Sequence, residues 1–224
     1  DDVNRRAKNE QVVRLVSQSF SFNSAGRLFH GRAPVPLSPP SRSLPAMLRL
    51  PVTRILSIVR QGSSAPAHVS TEAGDFVMKF RGAAQGPAAL VAELIVGALA
   101  DRLDLPVPER AVLELSADVP TDDRRDEIAD LIHASYGLNV GLRYVPRTHI
   151  LRPDEHRLIP FDVASRIVWL DWLTMNLDRT EANPNIIVGG GRYWLIDHGA
   201  ALGFHFDWPH ITEQHPHRYQ SHQR

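Results

Sequence analysis

NLDRTEANPNIIVGGGRYWLIDHG, residues 176–199, decides how the rest of the chain is read. Two candidate strands, 185–188 and 192–196, flank Gly189, Gly190 and Gly191, which predicts a β-hairpin with a glycine turn. In an antiparallel pair, the residue before the first strand faces the residue after the second, so an asparagine is carried towards Asp197. A three-residue loop pairs 188 with 192 and sets Asn183 opposite Asp197; a five-residue loop pairs 188 with 194 and sets Asn185 there. Either register joins an amide oxygen to a carboxylate, the donor chemistry a hard divalent cation takes. Gly199 then lets the chain turn away without a side chain near the ion. Asp178 lies on the loop entering the hairpin, five residues before Asn183 and seven before Asn185. Asp and Asn also initiate turns for purely local reasons, so the joint pattern carries the argument rather than any single residue. The preceding run ASRIVWLDWLTMNL, residues 164–177, predicts a buried helix that delivers Asp178 to its loop, with Trp169, Trp172 and Trp194 in the core.

Working towards the N-terminus, residues 54–62, RILSIVRQG, read as a strand ending at Gly62. Residues 67–80, AHVSTEAGDFVMKF, read as two strands about a turn at 72–75 in which Gly74 supplies the bend. GPAALVAELIVGALADRL, residues 86–103, has apolar residues at 90, 91, 94, 95, 98 and 99 and Pro87 in its first turn, which predicts a helix. A loop into another strand follows over 105–115, then a charged linker with a short amphipathic helix over 121–137, then a strand near 140–145. Two charges interrupt apolar surroundings in this half: Lys79 in VMKF and Glu93 in the middle of the apolar helix. A lysine on an inward strand face must meet a counter-charge, and a Lys79–Glu93 ion pair accounts for both residues at once. The segment RQGSSAPAH offers Gly62, Ser63 and Ser64 as a candidate phosphate loop of backbone amides and hydroxyls.

Composition narrows the class. The 25 Lys and Arg balance 25 Asp and Glu, which gives no general attraction to nucleic acid or to a membrane surface. Cysteine is absent, which removes disulfides and thiolate metal sites. Glu93 breaks the longest apolar run, and the first residues lack the layout of a secretory leader, so a cytoplasmic protein is expected. Residues 1–50, rich in Ser and Pro, and residues 209–224, rich in His and Gln, are expected to be tails. The late histidines do not fall at metal-ligand spacing on a helix.

The residues together supply the parts that nucleotide phosphoryl transfer uses: a carboxylate to orient the acceptor, a carboxylate and an amide for Mg²⁺, and a lysine for the phosphates. VMKF, QGPAALVAEL, GLNVGLRYV, NLDRTEANPNIIV and YWLIDHGAAL also resemble the HipA-like kinase domain family over residues 54–208. The DR…N…IDHG portion is similar, more distantly, to phosphatidylinositol kinases and protein kinases. The resemblance implies an α+β, bilobal, protein-kinase-like fold: a strand-rich nucleotide-binding lobe over 51–117 and a shortened helical catalytic lobe over 118–208 that carries the metal-binding hairpin. It implies ATP and Mg²⁺, with a hydroxyl acceptor of unknown identity as the other partner. Carried over by position, Asp178 is the catalytic base, Lys79 and Glu93 are the nucleotide-phosphate lysine and its partner, and Asp197 with Asn183 or Asn185 holds the metal. The alternative, from a different class, is an inactive kinase-like nucleotide-binding or interaction module.

Overall fold

The computed structural model describes residues 47–59, 65–123 and 125–204. The protein is α+β. Strands β1 (Leu48–Pro51), β2 (Arg54–Ile58), β3 (Ala67–Thr71), β4 (Gly74–Lys79), β5 (Arg110–Leu115) and β6 (Gly137–Arg143) form one six-stranded sheet in the order β1-β5-β6-β4-β3-β2. Only β1 and β5 run parallel; the other neighbours are antiparallel. Helix α1 (Gly86–Arg102) follows β4, and α2 (Asp126–Ala134) precedes β6. A second sheet, β7 (His149–Ile150), β8 (Ile186–Gly189) and β9 (Arg192–Leu195), follows in the order β7-β8-β9. Helix α3 (Phe161–Leu173) runs just before it in the chain.

Alternation along β4 sorts its side chains. Phe76 and Met78 are fully buried against Ala67, Val69, Ala111, Leu113 and the α2 residues Ile128 and Ile132, forming one hydrophobic cluster. Lys79 and Val77 therefore share the opposite face. A second cluster joins Val96 and Ala100 of α1 to Val163, Ile167 and Leu170 of α3 and to Ile186, Val188 and Leu195 of the hairpin. Helix α1 thus belongs to the second cluster, and Glu93 is one of its buried residues. The large sheet takes in β6, which lies beyond residue 117, the expected limit of the small lobe.

Several local expectations are revised. β2 ends at Ile58, although Val59 extends the ladder by donating its N–H to the Pro66 carbonyl at 2.8 Å. The β3–β4 turn is Glu72–Ala73, with Gly74 (φ +103°) paired to Thr71 as the first strand residue. In α1 the inward stripe is Ala89, Leu90, Ala92, Glu93, Val96, Gly97 and Ala100, so Leu90 is inward as expected, whereas Val91 and Ile95 face out. The helix is apolar almost all round, so periodicity alone does not choose a face; the small residues choose it by allowing close approach to the sheet. Helix α3 is not buried. Val163, Ile167 and Leu170 point inward, while Phe161 (87% exposed), Val168 and Trp169 (53%) lie outside. Trp172 is also exposed and Trp194 half-buried, so aliphatic side chains rather than tryptophans fill this core.

Close packing of the large sheet rests on Gly141. A Cβ added there would meet Leu113 Cδ1 at 2.5 Å and Cγ at 2.8 Å, and Leu113 is fully buried. Gly141→Ala is expected to cost about 1–3 kcal/mol by overpacking. Gly141→Ala/Leu113→Val should lose less than the sum of the two single changes, as chemical denaturation of the four proteins will show.

Candidate active site

Lys79 closes β4, and its inward partners explain why a charge is tolerated there. Its ammonium donates to Glu93 Oε2 at 2.7 Å and to Asp197 Oδ1 at 2.7 Å. The side chains are 12% (Lys79), 0% (Glu93) and 38% (Asp197) exposed, so the knot is dry on the Glu93 side and open on the Asp197 side. Burial alone pushes the Lys79 pKa down, but the charges and hydrogen bonds of Glu93 and Asp197 outweigh it and raise the ammonium above its ordinary value of 10.5. Glu93 Oε2 also accepts the backbone N–H of His198 at 2.8 Å, which fastens the residue after Asp197 to α1.

The hairpin settles its own register. Gly189 pairs with Arg192 and Ile186 with Leu195, leaving Gly190 and Gly191 (φ +57° and +72°) as a two-residue turn. Positive φ at both central positions is what a type I′ hairpin turn requires. The two loop lengths weighed from the sequence, three and five residues, are both replaced by this shorter turn. The ladder then continues past β9, with the Ile196 N–H donating to the Asn185 carbonyl at 2.9 Å.

The two asparagines separate. Asn185 is buried, and its Nδ2 donates to Asp178 Oδ2 at 2.9 Å. Asn183 is exposed; its Nδ2 donates to the Asp178 carbonyl at 3.2 Å and its N–H to Thr180 Oγ1 at 3.1 Å, so it closes the loop locally. Asn185 (φ +48°) and Asp197 (φ +58°) both sit in left-handed backbone, a conformation costly for residues other than glycine and least so for Asn and Asp. The structure thus brings Lys79, Glu93 and Asp197 into one group and Asp178 and Asn185 into another. Gly62, Ser63 and Ser64 lie outside the described residues.

Sequence reading missed what supports the Asp178 loop. Arg179, 7% exposed at its side chain, donates from Nε to Asp171 Oδ2 at 2.9 Å and from one terminal nitrogen to the carbonyls of Asn185 (2.6 Å) and Pro184 (3.1 Å). Its other terminal nitrogen lies 3.2 Å from His198 Nδ1. Asn176 donates from Nδ2 to Asp171 Oδ1 at 3.0 Å and accepts the Asp178 N–H at 3.3 Å. The signals available beforehand were an aspartate inside the apolar run WLDWL and an arginine directly after the candidate base.

The donor chemistry fits a magnesium-bound nucleotide rather than a self-sufficient metal centre. Among the described residues, no group of three or more His, Asp or Glu is placed to hold an ion by itself. Mg²⁺ needs only one or two protein oxygens when phosphates supply the rest, and Asp197 and Asn185 are oxygen donors of that type. No helix among the described residues is long and apolar enough to cross a membrane.

The family model described as HipA-like kinase matches residues 52–224. No curated protein matches the chain.

Removing Lys79 strands a buried carboxylate. Lys79→Met is expected to cost about 3–5 kcal/mol, and Lys79→Met/Glu93→Met to recover much of that, measured by denaturant unfolding. His198 makes a pH prediction. Burial first, then the cations Arg179 and Lys79, lower its pKa from 6.5 to about 3. The unfolded chain therefore binds one more proton than the folded protein between those values, so this residue's contribution is complete above pH 6.5. It is lost on acidification through that window, by up to about 1.4 kcal/mol per pH unit. His198→Asn should flatten the acid limb of stability against pH, and an unchanged limb would show that His198 does not set it.

Proposed function

The chain belongs to the HipA-like kinase family, and we propose that it is an ATP-dependent phosphotransferase moving the γ-phosphoryl group of Mg-ATP to a hydroxyl acceptor. The observation that carries this reading is the double engagement of Lys79 with Glu93 and Asp197, close to the hairpin that delivers Asn185 to Asp178. We assign a strand-rich nucleotide-binding part to the large sheet with α1 and a catalytic part to α3 with the hairpin. A cytoplasmic setting fits a nucleotide as co-substrate.

In this reading Lys79, held by Glu93, neutralises nucleotide phosphate charge. Asp197 and Asn185 hold Mg²⁺, with Asn183 kept for the turn because its amide bonds the loop backbone. Bound there, the ion would neutralise charge on the β- and γ-phosphate oxygens. Asp178 Oδ2 is occupied by Asn185, which leaves Oδ1 to accept the hydrogen of the incoming hydroxyl. As the acceptor oxygen bonds to the γ-phosphorus, the bond from phosphorus to the β,γ-bridging oxygen breaks and the hydroxyl proton passes to Asp178. The products are ADP and a phosphate ester. The exposed apolar face of α3, at Phe161, Val168, Trp169 and Leu173, favours a second reading as a non-catalytic nucleotide-binding or interaction module.

Thermal unfolding with ATP, with and without Mg²⁺, tests the proposal, because a ligand bound only to the folded state raises the melting temperature. A Mg²⁺-dependent rise in wild type that disappears in Asp197→Ala is the expected result. Asp178→Ala should keep the rise while losing about 10²–10⁴-fold in ADP formation. No rise in wild type would favour the interaction module, and full activity in Asp178→Ala would remove the base assignment.

A further inference from the structure

Three separate segments meet on one guanidinium. Arg179 bonds Asp171 on α3, the Pro184 and Asn185 carbonyls entering β8, and His198 Nδ1 beyond β9, while its own backbone directly follows Asp178. All three nitrogens of the fork are in use, a task lysine's single ammonium does not match geometrically. An arginine can only donate, so His198 Nδ1 must accept and the ring proton sits on Nε2. His198 is buried, and that Nε2 has no hydrogen-bond partner among the described residues. A buried donor left unsatisfied is destabilising, so ring packing alone does not explain a histidine here. The histidine is used at two other points: Nδ1 for Arg179 and the backbone N–H for Glu93 Oε2.

We propose that Arg179 and His198 form a single positioning lock, which fixes the Asp178 loop relative to Asn185 and Asp197 so that transfer geometry is set before substrate arrives. The lock rests on the phosphotransferase reading above. Neither residue is a catalytic residue in it. Arg179 holds the loop and the Asn185 peptide, and His198 ties that loop to the peptide after Asp197 and, through Glu93, to Lys79. Asn185 and Asp197, both in left-handed backbone, have neighbouring peptides that these bonds secure. Backbone held in a sparsely populated region persists only where its surroundings over-determine it.

A double-mutant cycle on ADP formation from Mg-ATP tests the lock. Arg179→Met and His198→Leu should each lower kcat roughly 10–100-fold, since about 1 Å of misplacement has effects of that order. The dissociation constant for Mg-ATP, taken from thermal shift, should stay within about threefold, because Lys79, Glu93 and Asp197 remain. The double variant should be no worse than the poorer single one, as expected of residues that act as a unit. His198→Asn places an amide oxygen near the Nδ1 position and should restore kcat to within about threefold of wild type. Multiplying fold-losses, or His198→Asn as impaired as His198→Leu, would overturn the lock. If Arg179→Met fails to fold because it strands Asp171, Arg179→Met/Asp171→Asn is read in its place, with the same expectation. A wild type that neither binds Mg-ATP nor forms ADP overturns the phosphotransferase reading and this inference with it. An active wild type with an additive cycle overturns only the lock.

Discussion

The buried carboxylate of Glu93 is the constraint around which the rest is arranged. A charge taken fully out of water costs several kcal/mol unless it is paired and hydrogen-bonded. Glu93 is completely buried and answers that demand through Oε2 alone, which accepts from both Lys79 and the His198 backbone, while Oε1 has no hydrogen-bond partner among the described residues. Those two donors belong to the large sheet and to the segment leaving the hairpin. The same bond set therefore fixes α1, the end of β4 and the residue after Asp197 relative to one another. The small residues Ala89, Ala92 and Gly97 on the inward stripe of α1 bring its backbone near enough for this to happen. Larger side chains there would hold the helix away, and the carboxylate would lose its donors.

The hairpin solves a different problem, that of bringing two oxygen-bearing side chains to its open end. Its two-glycine turn sets the ladder, and the ladder sets Asn185 against Ile196. Both Asn185 and Asp197 leave the strands in left-handed backbone, which re-aims their side chains relative to the pleat. Asn and Asp tolerate that conformation better than other non-glycine residues, so the residue types suit the backbone as well as the proposed ligand.

How much of this was legible in the sequence depended on whether the signal was local. Lys79 and Glu93 stood out because each is a charge in an apolar run, and the structure pairs them. The hairpin was legible from its glycines, but its register was not: three consecutive glycines fit several loop lengths, and each length presents a different asparagine. The inward face of α1 was hidden because nearly all its residues are apolar, which leaves the choice to tertiary packing. Trp169 and Trp172 misled for the opposite reason, since size and hydrophobicity suggest a core but do not show on which side of α3 it lies. Arg179 and His198 are 19 residues apart, and only the closed hairpin makes them neighbours.

Formal charge says what the knot lacks. Glu93 and Asp197 carry two negative charges and Lys79 one positive, so the group retains one negative charge. Glu93 has no exposure, and water reaches the group on the Asp197 side, where the side chain is 38% exposed. The unbalanced charge is therefore presented at Asp197, the one member of the group on the hairpin. A cation arriving there meets an oxygen already aimed by Lys79 and a peptide already fixed by Glu93, so little rearrangement entropy is left to lose. A phosphate arriving alone would meet the opposite balance at this group, despite the lysine beside it. On the proposed reading, the electrostatics of the knot would favour an anion that brings its own divalent cation over a free anion, and that preference would follow from the burial of Glu93 rather than from any one contact to the ligand.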